Sequence, residues 1–470
     1  MTDYSVMKEL TFSSRDEFTR EPIAEKILKL LDSDIDVSPL IIDGKWGTGK
    51  TEFCFKLKNL IEADSSNNYK VGYVNAFQAD HANEPLLTLI SEIVSFYPKK
   101  SYQRKRLIKN AVPYLRLVGG IGLKAGLGFA FGRYAADIPE AFSKGMETIE
   151  EGSKELIDLS LESLIEDQAE ADRSLNTLKD ALNNIAADNP VILLIDELDR
   201  CRPDFAVMML ETIKHVFDVE NVQIILITNA EQLKATIKHS YGSETNSRDY
   251  LYKFFKYQIN LPTSTKDVEG KSIENNVTHF KTVVRDSKVI PQAFKDNEFL
   301  YDISKFVEIA HLSLRKIEQV VRCIETLIVF EDKEKSQQVI AEQTIIVLLS
   351  FIYIAREDLF INLINKEFLA SDFLEFINSD VWRFPTDSRV FSLNIAKIFI
   401  LLLFKNIVKN QLFNTINSPS GTLAQVAREV MRKMGIEDLS INDNGISPDS
   451  YLYDYIDHTI NNLLLFDIVK

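Results

Sequence analysis

The eight residues Gly44 to Thr51, reading G-K-W-G-T-G-K-T, have the types and spacing to hold a chain of phosphates. They fit G-x-x-x-x-G-K-[ST] at every fixed position. Gly44, Gly47 and Gly49 let the backbone curl so that its N–H groups point inward at phosphate oxygens. A helix starting behind them adds partial positive charge at its N-terminus. Lys50 would reach the β- and γ-phosphates, and the Thr51 hydroxyl would complete part of a magnesium shell. Trp46 and Thr48 occupy variable positions of the same loop. A chance glycine-rich turn is the competing reading, and the flanking context argues against it.

A second group of acids suits the same chemistry. Val191 to Ile195 is an apolar run that ends in Asp196 and Glu197, the Walker B arrangement of phosphate-loop enzymes. Asp196 would hold magnesium through water, and Glu197 would polarise the attacking water. Asp199 and Arg200 follow within the same turn. A third apolar run, Val222 to Ile227, ends in Thr228 and Asn229. The Asn229 amide can both donate and accept, which suits a sensor of the γ-phosphate, and it equally suits an N-cap for a helix over Glu231 to His239. The base-recognition pattern N-K-x-D is absent there, where the chain reads Asn229-Ala230-Glu231-Gln232, so ATP is favoured over GTP.

These groups need a scaffold. Pro39 to Asp43 predicts a buried strand ahead of the loop, and apolar residues at helical spacing predict a helix over Glu52 to Ile61. Lys70 to Asn75 reads as a strand and Glu84 to Tyr97 as a helix. The expected fold class is α/β, a P-loop NTPase core with a parallel sheet flanked by helices, a helical insertion, and an all-α C-terminal lid or bundle. The expected segments are 1–98, the first part of the core; 99–172, the insertion; 173–262, the second part of the core; and 263–470, the lid and C-terminal helices.

Several separated motifs make the chain resemble the KAP family of P-loop NTPases. The loop carries the family's tryptophan, Trp46. The acidic strand continues Ile195-Asp196-Glu197-Leu198-Asp199-Arg200-Cys201-Arg202-Pro203, similar to the family's I-D-[DE]-L-D-R-C-x-P. Tyr250-Leu251-Tyr252-Lys253-Phe254-Phe255 leading into Leu261-Pro262 looks like its Y-L-x-K-[IF]-F stretch. Asp16, Arg20 and Ala24, on an amphipathic segment from Asp16 to Leu31, fit its lead-in helix near the nucleotide base. Ser313 to Arg322 resembles its lid helix. The likeness spans about residues 16–325 and implies the additional-strand class of ATP-binding domain, with a membrane-associated or prokaryotic-defence setting. Many members have aspartate where this chain has Asn229. Arg200, Arg248 and Arg315 are the arginines considered for transition-state charge, with Arg315 placed to report γ-phosphate from the lid; exposed ion pairing is the alternative for each.

The stretch between the two motifs is segregated by charge. Lys99 to Arg133 holds nine basic residues and no acidic one, whereas Asp137 to Asp172 holds twelve acidic residues and two lysines. Six of the 17 glycines lie between Gly119 and Gly132. Arg116, Lys124 and Arg133 interrupt any membrane span. The basic arm either folds back on the acidic helix, whose stripe is Ile138, Phe142, Ile149, Leu156, Leu159 and Leu164, or contacts an anionic membrane surface. Beyond Pro262 a polar link, Thr263 to Val277, precedes a mostly helical region in which Thr344 to Ala355 reads as a buried helix and Phe391 to Phe404 as the centre of a bundle.

Composition places the chain among ordinary globular proteins, at 470 residues, 45% hydrophobic and 26% charged. The net charge of −15 disfavours a nucleic-acid partner. Three dispersed cysteines, Cys54, Cys201 and Cys323, and an N-terminus without a signal peptide predict a cytoplasmic protein, with a peripheral membrane location as the variant. The leading expectation is an ATPase using ATP and Mg2+ to change conformation or assembly as a homo-oligomer or with a partner protein, in bacterial antiviral defence. A slow ATP-gated scaffold is the alternative, and a nucleic-acid motor the third.

Overall fold

The computed structural model describes residues 7–64, 68–119, 161–187, 189–266, 270–331, 340–365 and 450–465. Two compact units divide the chain, Met1–Pro262 and Thr263–Lys470.

The first unit is built on five parallel strands: β1 (Leu40–Asp43), β2 (Lys70–Asn75), β3 (Val191–Asp196), β4 (Val222–Thr228) and β5 (Tyr257–Asn260). Their order across the sheet is β2-β3-β4-β1-β5. β4 therefore lies between the strand that leads into the glycine loop and the strand that ends in the acids, which is the additional-strand arrangement. The three central strands are continuous apolar runs because both sheet faces are covered. Residues of β3 from Val191 to Asp196 are all buried. Register brings Asn75 opposite Asp196 and Thr228 opposite Asp43, so the chemistry-bearing residues share one edge. That edge is the carboxyl end of the strands, where open α/β sheets bind ligands.

Helices follow the strands as crossovers require. On one face, α1 (Glu21–Leu31) and α2 (Lys50–Ala63) pack Ala24, Ile27, Phe53 and Leu57 against Leu40, Ile42 and Ile192. α1 begins at Glu21, later than the lead-in segment predicted from Asp16. Asp16 instead accepts from the backbone N–H groups of Arg20 and Glu21, at 2.8 and 2.9 Å, and Pro22 suits the first turn. On the other face lie α3 (Pro85–Ser95), α4 (Tyr102–Gly119), α5 (Leu161–Ala186), α6 (Pro203–Val216), α7 (Ala230–Tyr241) and α8 (Ser247–Tyr252). α4, the start of the basic arm, packs on α5 and buries Leu107, Ala111 and Leu115 in the core that holds Leu193 and Leu226. The glycine-rich stretch beyond Gly119 and the apolar stripe from Ile138 to Leu159 lie outside the described residues.

The second unit starts with two short antiparallel strands, β6 (Ser264–Lys266) and β7 (Ser272–Glu274), where the sequence predicted only a polar link. Three-residue strands carry too little periodicity to be read from sequence. Then come α9 (Asn275–Asp286), α10 (Asn297–Ala310), α11 (Leu314–Phe330), α12 (Ile340–Ala355), α13 (Glu357–Asn365) and α14 (Ser450–Leu464). α12 contains the uncharged run, with Ile345, Ile346, Leu348, Leu349 and Phe351 fully buried. Burying each such side chain contributes about 1.5–3 kcal/mol. Among the described residues no helix is long and apolar enough to cross a membrane. Phe391 to Phe404 lies outside the described residues.

Candidate functional site

Gly44 extends the β1 edge, its N–H donating to the Thr228 carbonyl at 3.1 Å. Beyond it the chain must turn sharply before α2 begins at Lys50. Gly47 and Gly49 make that turn with φ of 72° and 78°, a region that side-chain-bearing residues rarely enter. The Thr48 hydroxyl closes the crown by donating to the Lys45 carbonyl at 2.8 Å. Lys50 is buried, and its ammonium donates across the loop to the carbonyls of Gly44 and Lys45 at 2.7 and 3.2 Å. Burial pulls the Lys50 pKa down, against the opposing charges of Asp199 and Asp196. An anion at the loop would favour the charged form.

Asp196 ends β3 almost fully buried and receives hydrogen bonds from the Thr51 hydroxyl and, at 2.8 Å, from the Glu197 N–H. Burial pushes its carboxyl up to about 6 even so. A buried carboxylate beside a hydroxyl at a helix start is the hard-oxygen set that magnesium takes when phosphates and waters complete the shell, so these residues fit the ion.

Glu197 sits at φ 63° and ψ 24°, an uncommon conformation for such a residue that aims its side chain back along the sheet edge. Both carboxylate oxygens are engaged. Asn75 donates to Oε2 at 3.0 Å, and Arg200 pairs with Oε1 at 3.0 Å. The Asn75 side-chain carbonyl accepts from the Gln78 N–H at 2.9 Å, which fixes the amide's orientation. Asp199, buried on the 3-10 turn Leu198–Arg200, accepts from Trp46 Nε1 and from Thr228 Oγ1 at 3.1 Å.

Arg20 lies on the other flank of the loop. It donates to the carbonyls of Thr48 at 2.8 Å and Pro262 at 3.3 Å and stacks on the Phe18 ring, 4.8 Å from its centroid. Burial lowers its pKa to about 10, so it remains a cation at neutral pH. Beside it a small recess is lined by Phe12, Phe18, Phe53, Glu52 and Gly49.

The structure thus gathers Gly44, Trp46, Gly47, Thr48, Gly49, Lys50, Thr51, Arg20, Asp196, Glu197 and Arg200 around one strand edge. Asn229 stands next to that edge with its side-chain carbonyl accepting from the N–H groups of Glu231 and Gln232, the capping role. Arg248 is exposed on α8, with Nε donating to Tyr252 at 3.1 Å. Arg315 is exposed in the first turn of α11, in the second unit. Asn75 and Thr228 went unread in the sequence, although each is a polar residue at the end of an apolar strand, the signal that singled out Asn229.

A family model described as the KAP family P-loop domain matches residues 20–328. No curated protein matches. The solved structure of the Aeropyrum pernix ORC1 protein in complex with DNA is similar over 96% of this chain and 94% of that chain, at 14% identity and a TM-score of 0.32.

Proposed function

The chain belongs to the KAP family of P-loop proteins, and from that premise we propose that it binds ATP with magnesium and hydrolyses it to change its conformation or assembly. The observation that supports this best is the meeting of Lys50, Thr51, Asp196 and Glu197 at one strand edge, where register sets β3 one strand away from β1. The loop N–H groups and Lys50 hold the phosphates. Thr51 and Asp196 hold magnesium, which when bound neutralises charge on the β- and γ-phosphates. Glu197 orients the attacking water, with Asn75 directing its carboxylate and Arg200 pairing with it while the loop is empty. Arg315 is the arginine we assign to transition-state charge, and Asn229 caps α7 at the end of β4. Arg20 fixes the crown through Thr48. A role in bacterial antiviral defence, as a homo-oligomer or with a partner protein, rests on family likeness.

Titration calorimetry and phosphate release on the full chain test this. Mg-ATP should bind and turn over, and Lys50→Ala should weaken binding at least about 100-fold, the scale of a lost charge-assisted phosphate contact. No Mg-nucleotide uptake by the wild type would end the proposal.

A slow ATP-gated switch is the second reading, favoured by Glu197 having both oxygens taken by protein donors. A burst of phosphate without a sizeable steady-state rate would select it.

A further inference from the structure

The 3-10 turn Leu198–Arg200 has a different partner on each of two neighbouring side chains. Asp199 faces the loop, and its burial beside Asp196 and Glu197 puts three acids within four positions. A carboxylate so placed needs donors. It takes Trp46 Nε1 on Oδ2 and Thr228 Oγ1 on Oδ1. Trp46 is 53% exposed, so this hydrogen bond rather than ring burial sets its place. Thr228 also receives the Gly44 N–H on its carbonyl. Asp199 is consequently tied to the crown of the loop and to the strand tip that supports the loop's first glycine. Asp199 also exerts the strongest of the charges that hold Lys50 in its protonated form. The next residue, Arg200, holds Glu197 Oε1. While it does so, it competes with a water for that oxygen.

We infer that Asp199 is a positioning residue that couples occupation of the phosphate loop by a nucleoside triphosphate to the orientation of Glu197. Phosphates draw Lys50 and the Lys45–Thr48 crown toward themselves. Trp46 moves with the crown and pulls on Asp199. The short turn passes that displacement to Arg200, which leaves Oε1 to the attacking water. This rests on the proposed ATPase function and adds to it the means by which loading licenses turnover.

The test uses the full chain in a Trp382→Phe background, which leaves Trp46 as the sole tryptophan. In the absence of nucleotide, Asp199→Ala should raise acrylamide quenching of Trp46 about twofold, because it removes the acceptor of the Trp46 N–H, whereas an amide could keep it by donating to the Thr228 hydroxyl. Mg-ATP affinity should stay within about threefold while kcat falls at least about tenfold, the split expected of a group acting on the reacting state. Trp46→Phe keeps the ring and deletes the donor, and should lower kcat by a similar factor. The double variant should be no slower than either single one, since both break the same contact. Losses that multiply, or a fall in binding that matches the fall in kcat, would overturn the coupling. Trp46→Phe alters an exposed residue, so with Thr228→Val it carries the cycle even where Asp199→Ala does not fold. A wild type that takes up no Mg-ATP refutes the ATPase reading itself, whereas ATP hydrolysis with multiplying losses refutes only the coupling.

Discussion

The side-chain amide of Asn75 donates to Oε2 of Glu197 at 3.0 Å, joining the ends of two adjacent parallel strands. Both residues are buried, so the carboxylate is oriented by a fixed donor and not by solvent. Asn75→Ala would leave that oxygen short of its donor and the side chain free to turn. Turnover should drop about tenfold with ATP affinity nearly unchanged, a cost in the range expected when a reacting group loses its orientation. Glu197→Gln should lose about 100-fold or more, the usual contribution of general-base assistance, and should trap ATP. Single-turnover hydrolysis beside calorimetry reads both. Equal turnover in Asn75→Ala and wild type would show that Asn75 does not set the carboxylate.

Asp196 gives the site a pH dependence whose sign follows from burial. Its carboxyl rises from an ordinary 3.8 to about 6 in the folded chain. The folded state therefore binds the proton more tightly than the unfolded one. Stability from this group is present below 3.8 and is lost as pH climbs through about 6, at a cost on the order of 3 kcal/mol at pH 7. Asp196→Asn should raise the melting temperature by several degrees at pH 7.5 and leave it unchanged near pH 4. Metal binding takes the ionised form, so Mg-ATP affinity in the wild type should weaken about tenfold per pH unit below 6. Affinity that is level between pH 5 and 7.5 would contradict this assignment.

Packing above β2 sets a third expectation. A Cβ on Gly72 would stand 2.7 Å from Glu92 Cγ and 2.9 Å from both Leu193 Cδ2 and Phe96 Cζ. Gly72→Ala must push α3 away from the sheet, a displacement that costs about 1–3 kcal/mol. Thermal denaturation should show the loss, and Mg-ATP affinity should not follow it, since Gly72 lies below the strand edge. Unaltered stability would mean that Glu92 and Phe96 swing aside freely.

The sequence made the strand–loop–helix around Lys50 legible because phosphate binding fixes residue types at fixed offsets, and the apolar runs of β3 and β4 because both their faces are covered. The network around Glu197 was less visible. Asn75 lies 122 residues before Glu197 and Trp46 lies 153 before Asp199, so only the strand order brings these pairs together. Charge segregation marked Lys99 onward as a separate arm, yet charge reports a solvated face. On α4 the buried face is Leu107, Ala111 and Leu115, and it joins the core of the sheet. Asn229 shows the converse limit: its type suits both a sensor and a cap, and geometry gives it two backbone N–H groups to cap.

Arg315 provides the last prediction. It is exposed in the first turn of α11, whose N-terminus is capped by Ser313 accepting from the Lys316 N–H at 3.4 Å. Its positive charge lowers the pKa of Glu318, after the larger effect of His279 beside it and alongside Arg322. An exposed side chain with redundant charge neighbours is dispensable for folding, so Arg315→Ala should change stability by no more than about 0.5 kcal/mol. A guanidinium that meets γ-phosphate as charge develops acts on the reacting state more than on binding. Arg315→Ala should then slow single-turnover hydrolysis about tenfold or more while moving the ATP Kd by less than about threefold. Arg315→Lys should recover only part of the rate, because an ammonium cannot reproduce the planar fork. Hydrolysis at the wild-type rate in Arg315→Ala would assign the residue to the surface of the second unit and leave transition-state charge to Lys50 and the metal.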